Sequence, residues 1–275
     1  MVPRSLSFIA LFLALTAQAG EVGVPGGGDP RPVVALIIDD LGDRLYDGRR
    51  AIELPGNVTY SILPRTTYSR KLSELAYGHG KEVMMHQPME AVGGAPMGPG
   101  GLSQGMGRQA FVEALHRNFA SVPHARGINN HMGSLLTRQP LQMAWLMEEL
   151  RWRGNLYFVD STTTSQTVAL KVANSYRLPG LRRNIFLDHT REEGAIRDQF
   201  DRLVSQARAV GSSLAIAHPY PETLMILEQM LPTLKQQGID LVSVSDLIRL
   251  RYEQREPLWQ ASLSPSPMAA KSLKQ

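Results

Sequence analysis

The 275-residue chain contains no cysteine. Disulfide staples and thiolate metal sites are both excluded, so any bound metal must take nitrogen and oxygen ligands. Long apolar runs are also missing: after the N-terminal segment nothing approaches the roughly 20 apolar residues that a membrane-spanning helix needs. No basic run is present either. The 29 Lys and Arg against 25 Asp and Glu leave a formal net charge of +4 spread along the sequence. That balance favours weak attraction to anionic envelope polymers and makes no nucleic-acid footprint. The glycine-rich stretch from Gly93 to Gly107 lacks the Gly-Lys-Ser/Thr of a phosphate loop and reads as a mobile loop over a site. Ser134 and Ser161 lack the glycines of a nucleophile elbow, so no Ser-His-Asp order is persuasive.

What is present begins with a targeting pattern. Arg4, the apolar run Leu6 to Leu15 and Ala17-Gln18-Ala19 have the form of a secretory signal cut after Ala19. The expectation is a secreted or periplasmic protein that is not an integral membrane protein once the signal (1–19) is removed. Residues 20–32 are rich in Gly and Pro and read as a linker. Residues 33–256 form one domain, and 257–275 a poorly ordered tail.

Within the domain, apolar runs rich in branched residues alternate with helical periodicity. Candidate strands are 33–38, 58–63, 82–86, 126–130, 156–160, 185–188, 214–217 and 240–244. Helical spacing marks 67–78, 109–120 and 193–210, the last with Gly211 as its C-terminal cap. A further helix starts at Pro221 and should be interrupted by Pro232. Such alternation argues for βα units around a parallel sheet. Candidate reactive residues gather at many strand ends rather than in one crevice, which favours a barrel over an open sheet.

The run Val33 to Ile38 leads directly into Asp39-Asp40, and His86, His131 and His218 end three similar runs. Adjacent carboxylates at a sheltered site need a cation or a shared proton to offset their repulsion. The pair could instead begin a turn and cap a helix. Asn129 and Asn130 could bond substrate hydroxyls or hold His131, while Asp160-Ser161 could line the site or cap the segment that follows. His79, His116 and His124 read as surface residues, with His189, after Asp188, in reserve.

The motifs VVALIIDDLG (33–42), TYSILP (59–64), HQPME (86–90), GINNHMGS (127–134), FVDSTTT (158–164) and IAHPYPET (216–223) resemble the divergent polysaccharide deacetylase family over about residues 33–248. The resemblance implies the α/β fold of NodB-type carbohydrate esterases, a distorted (β/α) barrel of about seven to eight parallel strands. It also implies a polysaccharide substrate and a divalent metal, usually zinc. Carried onto this chain, Asp39 is the catalytic base, Asp40 a metal ligand and His218 the catalytic acid. The usual His-x-x-x-His turn is altered, because Glu90 stands four residues after His86. The set Asp40, His86 and His131 is favoured as nitrogen-rich and suited to zinc. Glu90 is the alternative ligand or orients His86, and Glu90, Asn130 and Asp160 are the expected substrate contacts. The altered turn also leaves open a noncatalytic envelope protein that binds glycan or a partner.

Overall fold

The computed structural model describes residues 31–263. The expected signal, nearly all of the expected linker and the end of the expected tail lie outside the described residues. Among the described residues nine strands occur in chain order: β1 Val33–Leu41, β2 Thr59–Ile62, β3 Glu82–Met89, β4 Ala125–Met132, β5 Tyr157–Asp160, β6 Gly180–Arg182, β7 Ile185–Phe186, β8 Ser212–Ala217 and β9 Asp240–Val242. The helices are α1 Leu45–Ile52, α2 Ser69–Gly78, α3 Arg108–Ser121, α4 Pro140–Arg153, α5 Ala169–Ser175, α6 Glu193–Val210, α7 Pro221–Met230 and α8 Val244–Leu263. None of the described helices is long and apolar enough to cross a membrane.

All pairings are parallel, in the order β6-β5-β4-β3-β2-β1-β8-β7, with β9 beside Val33–Ala35 of β1. The two ends of that path, β6 and β7, are joined by only Arg183 and Asn184. Such a link spans about 10–11 Å between flanking Cα atoms, so the sheet must curl until its edges face each other. Arg183 donates its backbone N–H to the Asp160 carbonyl, and Asn184 donates to that of Leu214, which ties the link to both sides. No ladder joins β6 to β7 among the described residues, and the result is a curled, incompletely closed barrel.

Alternation along the strands builds two apolar layers. Val34, Leu36 and Ile38 of β1 and Val83 and Met85 of β3 pack with the helices. Ala35, Ile37, Met84, Val159, Leu214 and Ile216 form the inner layer, joined by Val244, Leu247 and Ile248 of α8. Truncating one such buried aliphatic residue to alanine costs roughly 2–5 kcal/mol. Gly127 occupies an inner position where a Cβ would collide with the Tyr157 ring, so only glycine lets β4 and β5 pair there. Tyr157 in turn donates its hydroxyl to Glu82 at 2.9 Å.

Most expected elements are present, including the left-handed Gly211 cap (φ 84°) and the break at Pro232, where α7 gives way to a 3-10 turn. Two differences have physical reasons. β6 is only three residues of Gly-Leu-Arg, too short to show alternation. α8 runs through Pro257 to Leu263, because helix-forming residues on both sides carry it across the proline; residues 257–263 are therefore helix rather than unordered tail.

Candidate active site

The inner column of β1 is Ala35, Ile37, Asp39, and strict alternation would turn Asp40 to the opposite face. It does not, because the pairing with β2 slips between Ile38 and Leu41 and Asp40 adopts a left-handed conformation (φ 59°). This bulge turns two consecutive carboxylates toward one centre. Aspartate tolerates that conformation better than most residues, and backbone strain of this kind collects at functional sites. His86 follows Met84 on the inner face of β3. His131 follows Asn129 on β4, just before Met132, which is itself left-handed (φ 52°).

Three donor atoms that could hold a metal ion converge. Oδ1 of Asp40 lies 2.9 Å from Nδ1 of His131 and 3.2 Å from Nε2 of His86, and the two ring nitrogens are 3.3 Å apart. Asn129 holds the assembly from below. Its amide donates to both oxygens of Asp39 at 2.8 and 3.1 Å, while its oxygen accepts from Ser61 Oγ at 2.6 Å and stands 2.7 Å from His86 Nδ1. An amide oxygen only accepts, so His86 carries a proton on Nδ1, which leaves Nε2 as the nitrogen that faces the centre. Asn129 thus fixes Asp39 and His86 together, and its side chain is engaged with them and Ser61 rather than with His131.

His218, at the end of β8, is held by Asp188. The buried Asp188 carboxylate stands 3.0 Å from His218 Nδ1, and accepts from the His218 backbone N–H at 2.6 Å and from Thr223 Oγ1 at 3.0 Å. Nε2 of His218 therefore faces the centre, 3.7 Å from Oδ2 of Asp40. Asp188 is the residue that sequence reasoning undervalued: Ile-Phe-Leu-Asp is a strand run ending in a carboxylate, as at Asp39. Its neighbour His189 is exposed, and His79, His116 and His124 are also exposed.

The charges compensate one another. Burial pushes the Asp39 carboxyl above its usual pKa, against the opposing pull of His86 and His218. Burial also acts to raise Asp40, but the close imidazoles of His131 and His86 outweigh it and hold Asp40 far below the carboxylate range. For His86, burial opposes the charged ring, yet Asp39 and Asp40 raise it to about 9. His218 is raised in the same way: burial lowers it, and Asp188, Asp39 and Asp40 more than compensate.

The donor set fits a divalent cation. Around a tetrahedral zinc with bonds of 2.0–2.1 Å, ligand atoms stand about 3.3–3.4 Å apart, close to the triangle formed here. Oδ1 of Asp40 is buried with no aligned hydrogen-bond partner, although two ring nitrogens lie beside it. Lone pairs aimed at a common point account for that. The group Asp40, His86 and His131 is the one set of this kind among the described residues.

Two clefts share Asp40 and His131. One, of about 430 Å³, also includes Asp39, His86, Asn130, Ser161, Thr162, Arg183 and His218. The other, of about 440 Å³, runs past Leu41, Leu63, Pro88, the loop Pro96–Pro99, Pro219 and Tyr220. Asn130 borders the first cleft while its amide donates to the Met132 carbonyl and its oxygen accepts from Ser161 N–H. Two expected contacts fall elsewhere. Asp160 shares parity with Phe158 on the outer layer, and it accepts from Thr162 N–H and Thr167 Oγ1, so it builds a turn instead of meeting substrate. Glu90 accepts from the Gln104 N–H at 2.7 Å and anchors the glycine-rich loop, outside the group of Asp40, His86 and His131.

The curled barrel has parallels among known proteins. The chain is 35% identical over 215 residues, 78% of its length and 67% of the relative's, to the uncharacterized protein YibQ of Escherichia coli K12. In fold it is similar to the uncharacterized protein ATU2773 of Agrobacterium tumefaciens C58, with a TM-score of 0.76 at 24% identity, covering 81% of this chain and 92% of that one. It also resembles the D285S mutant of the peptidoglycan deacetylase PdaC of Bacillus subtilis, with a TM-score of 0.53 at 12% identity over 85% and 98% of the two chains. The family model for divergent polysaccharide deacetylases matches residues 36–248, and the chain belongs to that family.

Proposed function

We propose that the protein is an exported, metal-dependent hydrolase that removes acetyl groups from an envelope or extracellular polysaccharide. The observation that carries this reading is the grouping of a three-atom ligand set with a carboxylate supported by Asn129 and an imidazole supported by Asp188. Binding alone requires no such base and acid. The arrival of His131 from β4 supplies the ligand that the altered His-x-x-x-Glu turn lacks, which favours the catalytic over the noncatalytic reading.

A divalent ion held by Asp40, His86 and His131, zinc being the best match to this nitrogen-rich set, would supply Lewis acidity and lower the pKa of a bound water toward about 7. The residues of the chain do the proton work. Asp39 lies 3.5 Å from His86 Nε2, near enough to the centre to take a proton from an attacking water. Its raised pKa makes it a better base than an exposed carboxylate. Asp188, Asp39 and Asp40 raise the His218 pKa against the effect of burial, which favours a proton on the ring for delivery from Nε2 to the departing sugar nitrogen or oxygen.

Metal analysis of purified protein, followed by acetate release from a panel of acetylated glycans, tests the reading. The expected result is one divalent ion per chain and metal-dependent acetate release. A metal-loaded protein that releases no acetate from any of them, yet binds glycan, would be the noncatalytic member instead.

A further inference from the structure

Arg183 borders the cleft that holds Asp39, Asp40, His86 and His218. It belongs to the two-residue link between β6 and β7 and is half-buried. Its Nε donates to the Ser161 carbonyl at 2.8 Å and its Nη2 to the Thr162 carbonyl at 3.3 Å. The guanidinium carbon also lies 4.8 Å from the centre of the Phe186 ring. These contacts fix the group, and none of them neutralises it.

Several other arginines pair with carboxylates: Arg50 with Glu228, Arg108 with Glu148 and Arg191 with Glu222, at 2.7 to 2.9 Å. Arg183 forms no ion pair among the described residues, and its Nη1 has no hydrogen-bond partner among them. Burial lowers the pKa of the guanidinium below its usual value, and the pull of Asp39 and Asp160 does not offset it. Both carboxylates are already engaged, Asp39 by Asn129 and Asp160 by Thr162 and Thr167. Bonding two carbonyls needs N–H groups and no charge, so a glutamine amide could do as much. A sheltered charge without a counter-charge is costly, and a ligand of opposite sign removes that cost.

The acid tells which part of a substrate meets this charge. The Phe186 ring that lies beside Arg183 also packs with the His218 imidazole, 5.4 Å between ring centres. His218 serves the sugar atom that leaves, so Arg183 stands on the sugar side of the scissile bond. A rigid guanidinium with free N–H groups matches the paired oxygens of a carboxylate or phosphate.

We propose that Arg183 binds a carboxylate or phosphate carried by the glycan, and that the substrate of this site is an anionic polysaccharide. The inference rests on the hydrolase reading above and narrows its substrate class.

The test compares charged sugars with uncharged matches. An N-acetylglucosamine tetrasaccharide carrying lactyl ether carboxylates is set beside its lactyl amide, and a phosphorylated tetrasaccharide beside the unphosphorylated one. Binding is read by calorimetry in zinc-loaded Asp39→Asn, in which turnover is removed, and kcat/KM in zinc-loaded wild type. One of the two anions should bind about tenfold or more tighter than its match, which identifies the group recognised. Adding Arg183→Gln, which can still bond both carbonyls, should bring that ratio close to one, while Arg183→Lys keeps the charge without the fork and should retain part of it. The lysine variant carries the test if the glutamine variant does not fold. Equal affinity for anions and matches, or an undiminished ratio in either folded variant, overturns the anionic site; if acetate release persists in that case, the hydrolase reading stands. Arg183-dependent preference without turnover of any sugar supports the anionic site and overturns the hydrolase reading instead.

Discussion

Asp39 and Asp40 approach the same atom, Nε2 of His86, at 3.5 and 3.2 Å, although they are consecutive residues of one strand. The bulge at the end of β1 makes this possible, and the two side chains then differ in what supports them. Asp39 is 2% exposed and held through both oxygens by the Asn129 amide, whereas Oδ1 of Asp40 has no aligned partner. A carboxylate fixed by an amide suits a base, and one with a free, aimed lone pair suits a ligand.

Asp39→Asn and His218→Ala should therefore each remove most hydrolysis while leaving metal content nearly unchanged. General bases and acids contribute about 10² to 10⁴-fold each, and the double variant should lose less than the product because both serve one reaction. Steady-state rates alongside elemental analysis of the same preparations check this. Loss of metal in Asp39→Asn would move that residue into the ligand set.

The pH dependence follows from the two raised pKa values. Asp39 must be deprotonated to act, so activity falls as pH drops through its raised pKa. His218 must be protonated, so activity falls as pH rises through its own. Asp188→Asn removes the main charge that raises His218 and should move the alkaline limb of the kcat profile to lower pH. The same pair links to stability. The folded-state pKa of His218 is raised, so its contribution is present in full below the ordinary value of 6.5 and is lost as pH rises through the raised one. An unmoved alkaline limb in Asp188→Asn would mean that His218 is not the acid.

Gly127→Ala tests the barrel interior. The added Cβ would land on the Tyr157 ring, and overpacking of this kind costs about 1–3 kcal/mol. A lowered Tm is expected, with metal affinity reduced less, because Asn129 and His131 lie further along β4. Ala at the exposed Gly194, whose added Cβ meets nothing, should leave the Tm almost unchanged.

Much of this was legible because strands report their faces. Counting by twos from the core residues Ile37, Met84 and Ile216 leads to Asp39, His86 and His218 on the inner face. The same count from Phe158 puts Asp160 on the outer face, so its role in a turn was also readable. Asp40 breaks the count, and only the bulge, which depends on pairing with β2, brings it to the site. Glu90 could not be assigned because its partner, the Gln104 N–H, is set by the course of a loop with no periodicity. Asp188 ends a strand run that the sequence shows at 185–188, and it was passed over for the more conspicuous His189 beside it. The barrel's closure depends on β6, three residues that leave no pattern in the sequence.

The central claim is that Asp40, His86 and His131 hold one divalent cation. Calorimetric titration of zinc into metal-free protein tests it most directly, with wild type, Asn129→Ala, His131→Ala and the surface control His116→Ala measured side by side. One site per chain is predicted in wild type and His116→Ala. Asn129→Ala, which frees His86 without removing a ligand, should weaken binding by about 10–100-fold, and His131→Ala by more. Zinc affinity equal in wild type and His131→Ala would contradict the account.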